Sequence, residues 1–200
     1  MKRIFQIFRY VSFTLLIIFS IEVFGQDSFI LATKQQFKVE GTSTIHDWEM
    51  VSTKAEGNAQ ITLGNGKIAN ISSLIVRLPV TSLKSGKNGM DKNAYEALQF
   101  EKNPEIQLKL SEVEVITSQM VKAKIELSIA GTTRECEWDV KYDISDGGIV
   151  FSGSHKIKFS DFRVNPPTAV FGTIKTGDNL ELSFETTFKP TNETAFYSIN

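Results

Sequence analysis

The sequence predicts an all-β protein, an antiparallel eight-stranded barrel with one short helix in a connection. Three observations carry that expectation. From Gln26 onward apolar and polar residues alternate with a period of two, the repeat at which side chains switch faces of a strand. The runs are separated by turn signals such as Gly64-Asn65-Gly66 and Asp146-Gly147-Gly148. Their one-sided polarity belongs to an antiparallel sheet with one wet face, and a set of about eight such strands can escape exposed edges by closing on itself.

Taken in order, Phe37-Lys38-Val39 opens the series, and Ala55, Gly57, Ala59, Ile61 and Leu63 share a face opposite Glu56, Asn58, Gln60 and Thr62. Leu74, Val76, Leu78 and Val80 follow, then Ile106, Leu108 and Leu110. Val121, Ala123, Ile125, Leu127 and Ile129 alternate with Lys122, Lys124, Glu126 and Ser128. Cys136 to Tyr142, then Phe151, Gly153, His155, Ile157 and Phe159, and finally Leu182, Phe184, Thr186 and Phe188 complete the set, with Gly177-Asp178-Asn179 read as a further turn. One segment breaks the rhythm. Asp91 to Gln99 holds good helix formers, an acidic candidate cap in Asp91, and Ala94 and Leu98 at helical spacing. A helix there either lids one barrel mouth or covers an edge.

Length and charge bound the function. Two hundred residues fit one domain with a processed leader, and 41% hydrophobic with 22% charged residues is ordinary for a globular chain. A net charge of −1 with lysines scattered among acids gives no basic stripe for nucleic acid. Lys2, Arg3 and Arg9 precede an apolar run from Val11 to Phe19, and Val23-Phe24-Gly25 has the form of a cleavage site. Glu22 stops that run short of the ~20 residues a membrane span needs. The expectation is a signal peptide over 1–25, a mature domain over 26–200, a periplasmic location with secretion or envelope association as the alternative, and no stable membrane anchor. Removing 1–25 takes away three cations and one anion and moves the net charge from −1 to −3.

The chemistry-bearing residues are few. Cys136 is the single cysteine, so no intramolecular disulfide can form, and its parity with Trp138 and Val140 reads as a buried thiol. Two histidines cannot make a three-histidine zinc site, and the familiar metal, nucleotide and nucleophile motifs are missing from the sequence. The expectation is no catalytic residue, no metal and no cofactor. His46 and Asp47 are neighbours and would face opposite sides of a strand, whereas Trp48 shares parity with His46. That pair reads either as a plug on the core or as a head-group contact at a barrel mouth. His155, on an apolar parity, reads as a core histidine or as the polar anchor of an apolar pocket. Pro166-Pro167 marks a connection whose apolar tail, Val170 and Phe171, could fold over a barrel end as a portal or pack on the core. The small inward residues Ala55, Gly57, Ala59, Ala123 and Gly153 read as room for a ligand.

Several stretches resemble the YceI family over roughly residues 33 to 190. They are Phe37 to Trp48, Met90-Asp91 with Tyr95-Glu96-Ala97-Leu98 and Asn103-Pro104-Glu105-Ile106, Ile129-Ala130-Gly131-Thr132-Thr133-Arg134, and Asp161-Phe162-Arg163-Val164 with Pro166-Pro167 and Gly172-Thr173. In the first of them Thr44-Ile45-His46-Asp47-Trp48 differs from the Val-x-His continuation of many relatives. The resemblance implies a lipocalin-like barrel with an elongated apolar pocket and binding of polyisoprenoids or other long-chain lipids outside the cytoplasm. On it rests the expectation of an exported, non-catalytic binding protein for a long-chain amphipathic lipid. The candidate ligand-facing residues are His46, Trp48, Tyr95, Leu98, Ala123, Ile125, Phe151, His155 and Phe171. A homodimer is compatible with this reading. The alternative is a solid-core structural or interaction module of the envelope.

Overall fold

Backbone pairing turns the period-two segments into a closed barrel. The computed structural model describes residues 27–145 and 147–192, so the expected signal peptide and Asp146 of the Asp146-Gly147-Gly148 turn lie outside the described residues. The strands are β1 (Asp27–Ser43), β2 (Trp48–Ser52), β3 (Glu56–Gly64), β4 (Lys67–Pro79), β5 (Glu105–Ile116), β6 (Met120–Ile129), β7 (Thr132–Ser145), β8 (Gly148–Lys158), β9 (Thr168–Ala169) and β10 (Ile174–Pro190). All pairings are antiparallel, and β1 meets β10 from Phe29↔Pro190 to Ser43↔Thr176, which closes the sheet. β2 and β3 occupy successive lengths of one position beside β1, pairing with Phe37–Gly41 and Asp27–Ile30. β9 pairs only with β10. The closed barrel therefore has the eight antiparallel positions that the alternation predicts. Among the described residues no helix is long and apolar enough to cross a membrane.

Local chemistry explains the turns, with one correction. Asn65 and Gly66 join β3 to β4 with φ of 53° and 69°, the mirror-image turn whose twist matches its flanking strands. Gly177-Asp178-Asn179, expected as a turn, lies inside β10. The register with β1 shifts between Gly41↔Leu180 and Ser43↔Thr176, and a Cβ on Gly177 would stand 2.6 Å from Thr42 Oγ1. Glycine is there for close approach at a bulge. Asp178 accepts hydrogen bonds from Ser160 N at 2.9 Å and Ser160 Oγ at 2.6 Å, fastening the chain that leaves β8.

The helix α1 spans Asn88–Ala97 and so begins three residues before the expected Asp91. Asp91 is not its cap. Its buried carboxylate faces the preceding loop and accepts from Ser85 N at 2.8 Å and Ser85 Oγ at 2.6 Å. Burial alone would raise this carboxyl; the Ser85 hydrogen bonds, with Lys84 alongside, outweigh it and hold the group below the usual carboxylate range.

Connections in this barrel alternate between ends, and the interior differs with them. The short turns at 65–66 and 117–119 lie at one end. The segments 44–47, 80–104 and 159–173 lie at the other, together with the 130–131 turn. Toward the first end the interior is filled. Phe29, Ala59, Ile61, Ile68, Ile149 and Phe188 are buried, and Phe151 packs edge-on to Phe188 with ring centroids 5.8 Å apart. The Tyr142 hydroxyl donates to the Thr117 carbonyl at 2.8 Å and accepts from Ile68 N at 3.3 Å, so the polar tip of that buried ring is satisfied. Toward the second end Phe37, Val39, Leu108, Leu182 and Phe184 point inward yet stay half-exposed. Outside, Lys122 and Lys124 pair with Glu112, Glu114 and Glu137 across β5, β6 and β7, a solvated charge ladder of the kind the sequence pattern implies.

Candidate functional site

The half-exposed inward side chains enclose a cavity of about 530 Å³, within the range of small-molecule sites. Phe37, Val76, Leu108, Leu127, Leu182 and Phe184 form much of its wall, and Met90, Ala94 and Ala97 of α1 with Leu98 roof it. The helix is thus a lid over one mouth. Tyr95, on the outer side of that lid, holds it down. Its hydroxyl lies 2.6 Å from the Leu83 carbonyl and 3.0 Å from the Thr81 carbonyl as donor, and accepts from Lys84 Nζ at 2.7 Å. Tyr95 is a strut and not part of the cavity wall.

A row of rings crosses the interior. Phe37 stacks on Phe184 at 6.5 Å, Phe184 on Trp138 at 5.7 Å, and Trp138 on His155 at 5.1 Å with the planes 17° apart. Trp138 belongs to the cavity wall and is 4% exposed, yet its Nε1 is buried without a hydrogen-bond partner. An unpaired buried donor costs roughly 1–3 kcal/mol, so this atom stands out. His155 sits beside the indole and off the cavity wall, and burial holds its imidazole below the usual histidine value of 6.5, in the neutral form.

The small inward residues do not open this space, which corrects the sequence expectation. Ala59 lies opposite Phe29 and Ala123 opposite Trp138 across their strand pairs. A Cβ on Gly153 would touch the Phe184 ring at 3.3 Å, and one on Gly41 would collide with the Trp48 indole. Ala59, Ala123 and Gly153 each stand against a large ring, and Gly57 packs against Val76 and Leu31, as close packing requires. The lumen lies beyond them, between aliphatic and aromatic side chains.

The other expected site residues divide by position. His46 falls in the bend between β1 and β2, so strand parity does not govern it. It is exposed, lies against the cavity, and its Nδ1 is 2.8 Å from the Asp47 carbonyl oxygen. Trp48 lies over Gly41, donates from Nε1 to the Thr42 carbonyl at 3.0 Å, and also lines the cavity, as does Leu98. Ala123, Ile125 and Phe151 point inward but are buried below the cavity, toward the filled end. Phe171 does not fold over the barrel end. With φ of 50° and 53° at Val170 and Phe171, the loop tip carries both side chains outward, and Phe171 is 108% exposed. The base of that loop, Val164, Pro167, Ala169 and Ile174, does reach the cavity. Cys136 is half-buried where full burial was expected, and burial, with Asp161 near, pushes its thiol up and away from the reactive thiolate. Among the described residues no group of three or more His, Cys, Asp or Glu side chains could hold a metal ion.

Sequence reasoning missed Phe37, Leu108, Trp138, Leu182 and Phe184 as wall residues, whereas Leu127 lies on the inward face of the Val121 strand that it expected as wall. A usable signal was present. Inward residues nearest the short Gly64-Asn65-Gly66 turn belong to the filled end, and those nearest the long 80–104 and 159–173 connections belong to the cavity.

Comparison with known proteins agrees with this architecture. Residues 26–188 match the YceI-like domain. BcnA of Burkholderia cenocepacia is similar with a TM-score of 0.65 at 15% identity, over 78% of this chain and 98% of that one. A polyisoprenoid binding domain from Saccharophagus degradans, implicated in plant cell wall breakdown, is similar with a TM-score of 0.61 at 10% identity, over 83% of this chain and 99% of that one. The Campylobacter jejuni YCEI protein is similar with a TM-score of 0.55 at 21% identity, over 70% of this chain and 85% of that one. At such identities the structural likeness is one of fold. No curated protein matches the sequence.

Proposed function

The chain belongs to the YceI-like domain family, and on that footing we propose that its hollow half carries a long-chain amphipathic lipid of the polyisoprenoid or fatty-acid type, without chemical conversion. One observation carries the reading: a cavity of about 530 Å³ walled mainly by aliphatic and aromatic side chains and roofed by a helix. A chain seated there would bury about ten methylenes at roughly 0.8 kcal/mol each, the scale of a micromolar Kd before ordering costs. The lipid class draws support from the neighbour described as a polyisoprenoid binding domain. The polar end of the lipid would lie at the mouth, near His46 and Trp48. The filled half alone would suit a structural module; a lidded apolar cavity does not.

Export belongs to the same proposal. The cationic start, the apolar run and the Val23-Phe24-Gly25 ending support cleavage after Gly25 and work in the periplasm. Native mass spectrometry of protein isolated from its own cell envelope, followed by solvent extraction, tests both parts. The expected result is a polypeptide beginning at Gln26 with a bound long-chain lipid. Protein that carries nothing, and that takes up no long-chain lipid when offered one, would overturn the carrier reading.

A further inference from the structure

The mouth end of the barrel carries an apolar projection. Val170 and Phe171 stand at the tip of the turn between β9 and β10, 62% and 108% exposed and outside the cavity wall. Ile45, 61% exposed, stands at the cavity rim on the bend after β1. The bend and the hairpin are joined: Thr44 N donates to the Lys175 carbonyl at 3.0 Å, and Lys175 N donates to Thr44 Oγ1 at 3.3 Å. The tip is pinned. Gly172 N donates to the Ala169 carbonyl at 3.1 Å, and Thr173 donates to the Val170 carbonyl from N at 3.2 Å and from Oγ1 at 2.7 Å. Val170 and Phe171 hold φ of 50° and 53°, a left-handed backbone that suits glycine or asparagine and suits a β-branched residue least. Two apolar side chains are thus held out in water where a polar residue would fit the turn better.

Charge along the projection has one sign. From Phe162 to Gly177 the charged residues are Arg163 and Lys175, both exposed. The charged residues that line the cavity are Lys38, Lys87 and Lys158, with no acid among them. Lys38 pairs with Glu40 at 2.9 Å. Among the described residues no salt bridge engages Lys87, Arg163 or Lys175. Acids of the same end are turned elsewhere. Asp91 is buried, Glu96 pairs with Lys92 at 3.8 Å, and Asp161 accepts from Lys158 N at 2.8 Å. Asp47 lies in the outer groove with Glu40 and Glu49, and Glu101 lies outside α1 with Lys84 and Lys102. The neighbours of the tip, Thr168, Gly172 and Thr173, are small, so the projection is a narrow wedge. It falls well short of the about 800 Å² per partner that a specific protein interface takes. An apolar wedge beside unpaired cations matches a surface with acyl chains beneath phosphates.

We propose that this end of the barrel docks reversibly on an anionic phospholipid bilayer. Phe171, Val170 and Ile45 enter the headgroup region, and Arg163, Lys175 and Lys87 face the phosphates. Docking goes beyond the carrier reading and does not depend on it. It would set the cavity mouth, bordered by Pro167, Ala169 and Ile174 at the base of the same loop, against the bilayer.

The test is flotation of the processed, lipid-stripped protein on vesicles of phosphatidylcholine, alone or with phosphatidylglycerol. The wild type should bind the anionic vesicles about tenfold more tightly than the neutral ones, and high salt should erase the difference. Val170→Asn combined with Phe171→Asn keeps the left-handed turn and removes the wedge. Its binding to both vesicles should fall about tenfold, with no loss in thermal midpoint. Arg163→Gln combined with Lys175→Gln should lose only the preference for anionic vesicles. Val115→Ser, at an exposed apolar site of the opposite end, should float as the wild type does. Uptake of myristate from vesicle-free solution, read on the same proteins, separates docking from carriage, and the asparagine pair should match the wild type there. A wild type that takes up myristate without floating, or an asparagine pair that floats equally well, overturns docking and leaves the carrier reading standing. An asparagine pair that loses myristate uptake would assign the tip to the cavity and overturn docking too. So would a wild-type dimer that does not float and that the asparagine pair dissociates, since the tip would then meet a second copy of this chain. Flotation that depends on the wedge, without myristate uptake by the wild type, supports docking and counts against the carrier reading alone.

Discussion

One barrel, built from one repeating pattern, has a solid end and a hollow end. β7 shows the contrast within a single strand. Tyr142, toward the solid end, is buried among Phe151 and its neighbours with its hydroxyl bonded across to β4 and to the β5–β6 turn. Trp138, two residue pairs further along the same face, borders open volume with its donor unpaired. Pairing of β1 with β10 closes the sheet along both halves, from Phe29↔Pro190 to Ser43↔Thr176. That leaves the hollow end free to hold inward rings without a partner side chain to fill the space. Stability and binding are therefore expected to respond to different halves of the molecule.

Removing a ring from the solid end should have the largest effect. Phe29 is wholly buried opposite Ala59, so Phe29→Ala should cost about 3–5 kcal/mol, read as the loss in urea-unfolding free energy. A loss below about 1 kcal/mol would mean that the solid end is looser than the packing implies. Overfilling comes next. Ala59→Leu pushes carbons against Phe29 and should cost about 1–3 kcal/mol, lowering the thermal midpoint by several degrees while lipid uptake per folded molecule stays unchanged. Lost uptake at an unchanged midpoint would place the cavity at the wrong end.

Smaller effects are expected at the lid and at the ring row. Asp91→Ala removes the acceptor of both Ser85 hydrogen bonds and should cost about 1 kcal/mol and quicken lipid release. The wild-type carboxyl sits below its ordinary value of 3.8, so its contribution is present above that value and lost as pH falls through the lower folded value. The variant should lack this acid-side loss in urea unfolding measured between pH 5 and pH 2. A parallel pH profile in both proteins would show that Asp91 is no fastener. The smallest effect concerns His155. Its folded value lies below 6.5, so the unfolded chain takes up the proton first and stability declines as pH drops below 6.5. His155→Leu should flatten that decline, and an unaltered slope would mean that the imidazole is as accessible folded as unfolded.

How much of this was legible in the sequence depends on which coordinate is asked for. Face was legible, because the two-residue repeat is a property of every strand: Val121, Ala123, Ile125, Leu127 and Ile129 all point inward as the pattern says. Depth along the barrel was not, because parity is silent about which end a residue occupies. That is why Ala123, Ile125 and Phe151 were grouped with Leu98 as ligand-facing although they lie below the cavity. Ala59, Ala123 and Gly153 looked like empty space because a sequence does not show the ring seated over each one. Bulges hid a different signal: two in β5 stretch the inward spacing to Leu110, Val113 and Ile116, so the pattern fades where the strand still continues. Asp91 and Gly177 were given their commonest roles, helix cap and turn. In the structure tertiary contacts to Ser85 and Thr42 assign them others.

The central claim is that lipid is held by the hollow end, and Leu108→Trp addresses it most directly. Leu108 is half-exposed on the cavity wall, so an added indole ring has open volume to enter. The measurement is the bound-lipid fraction of wild type and Leu108→Trp by native mass spectrometry, with thermal midpoints recorded on the same two proteins after lipid removal. The account predicts a midpoint within about 2 °C of wild type and a bound-lipid fraction reduced severalfold. Full lipid occupancy in Leu108→Trp, or a midpoint that falls as far as that of Ala59→Leu, would contradict it.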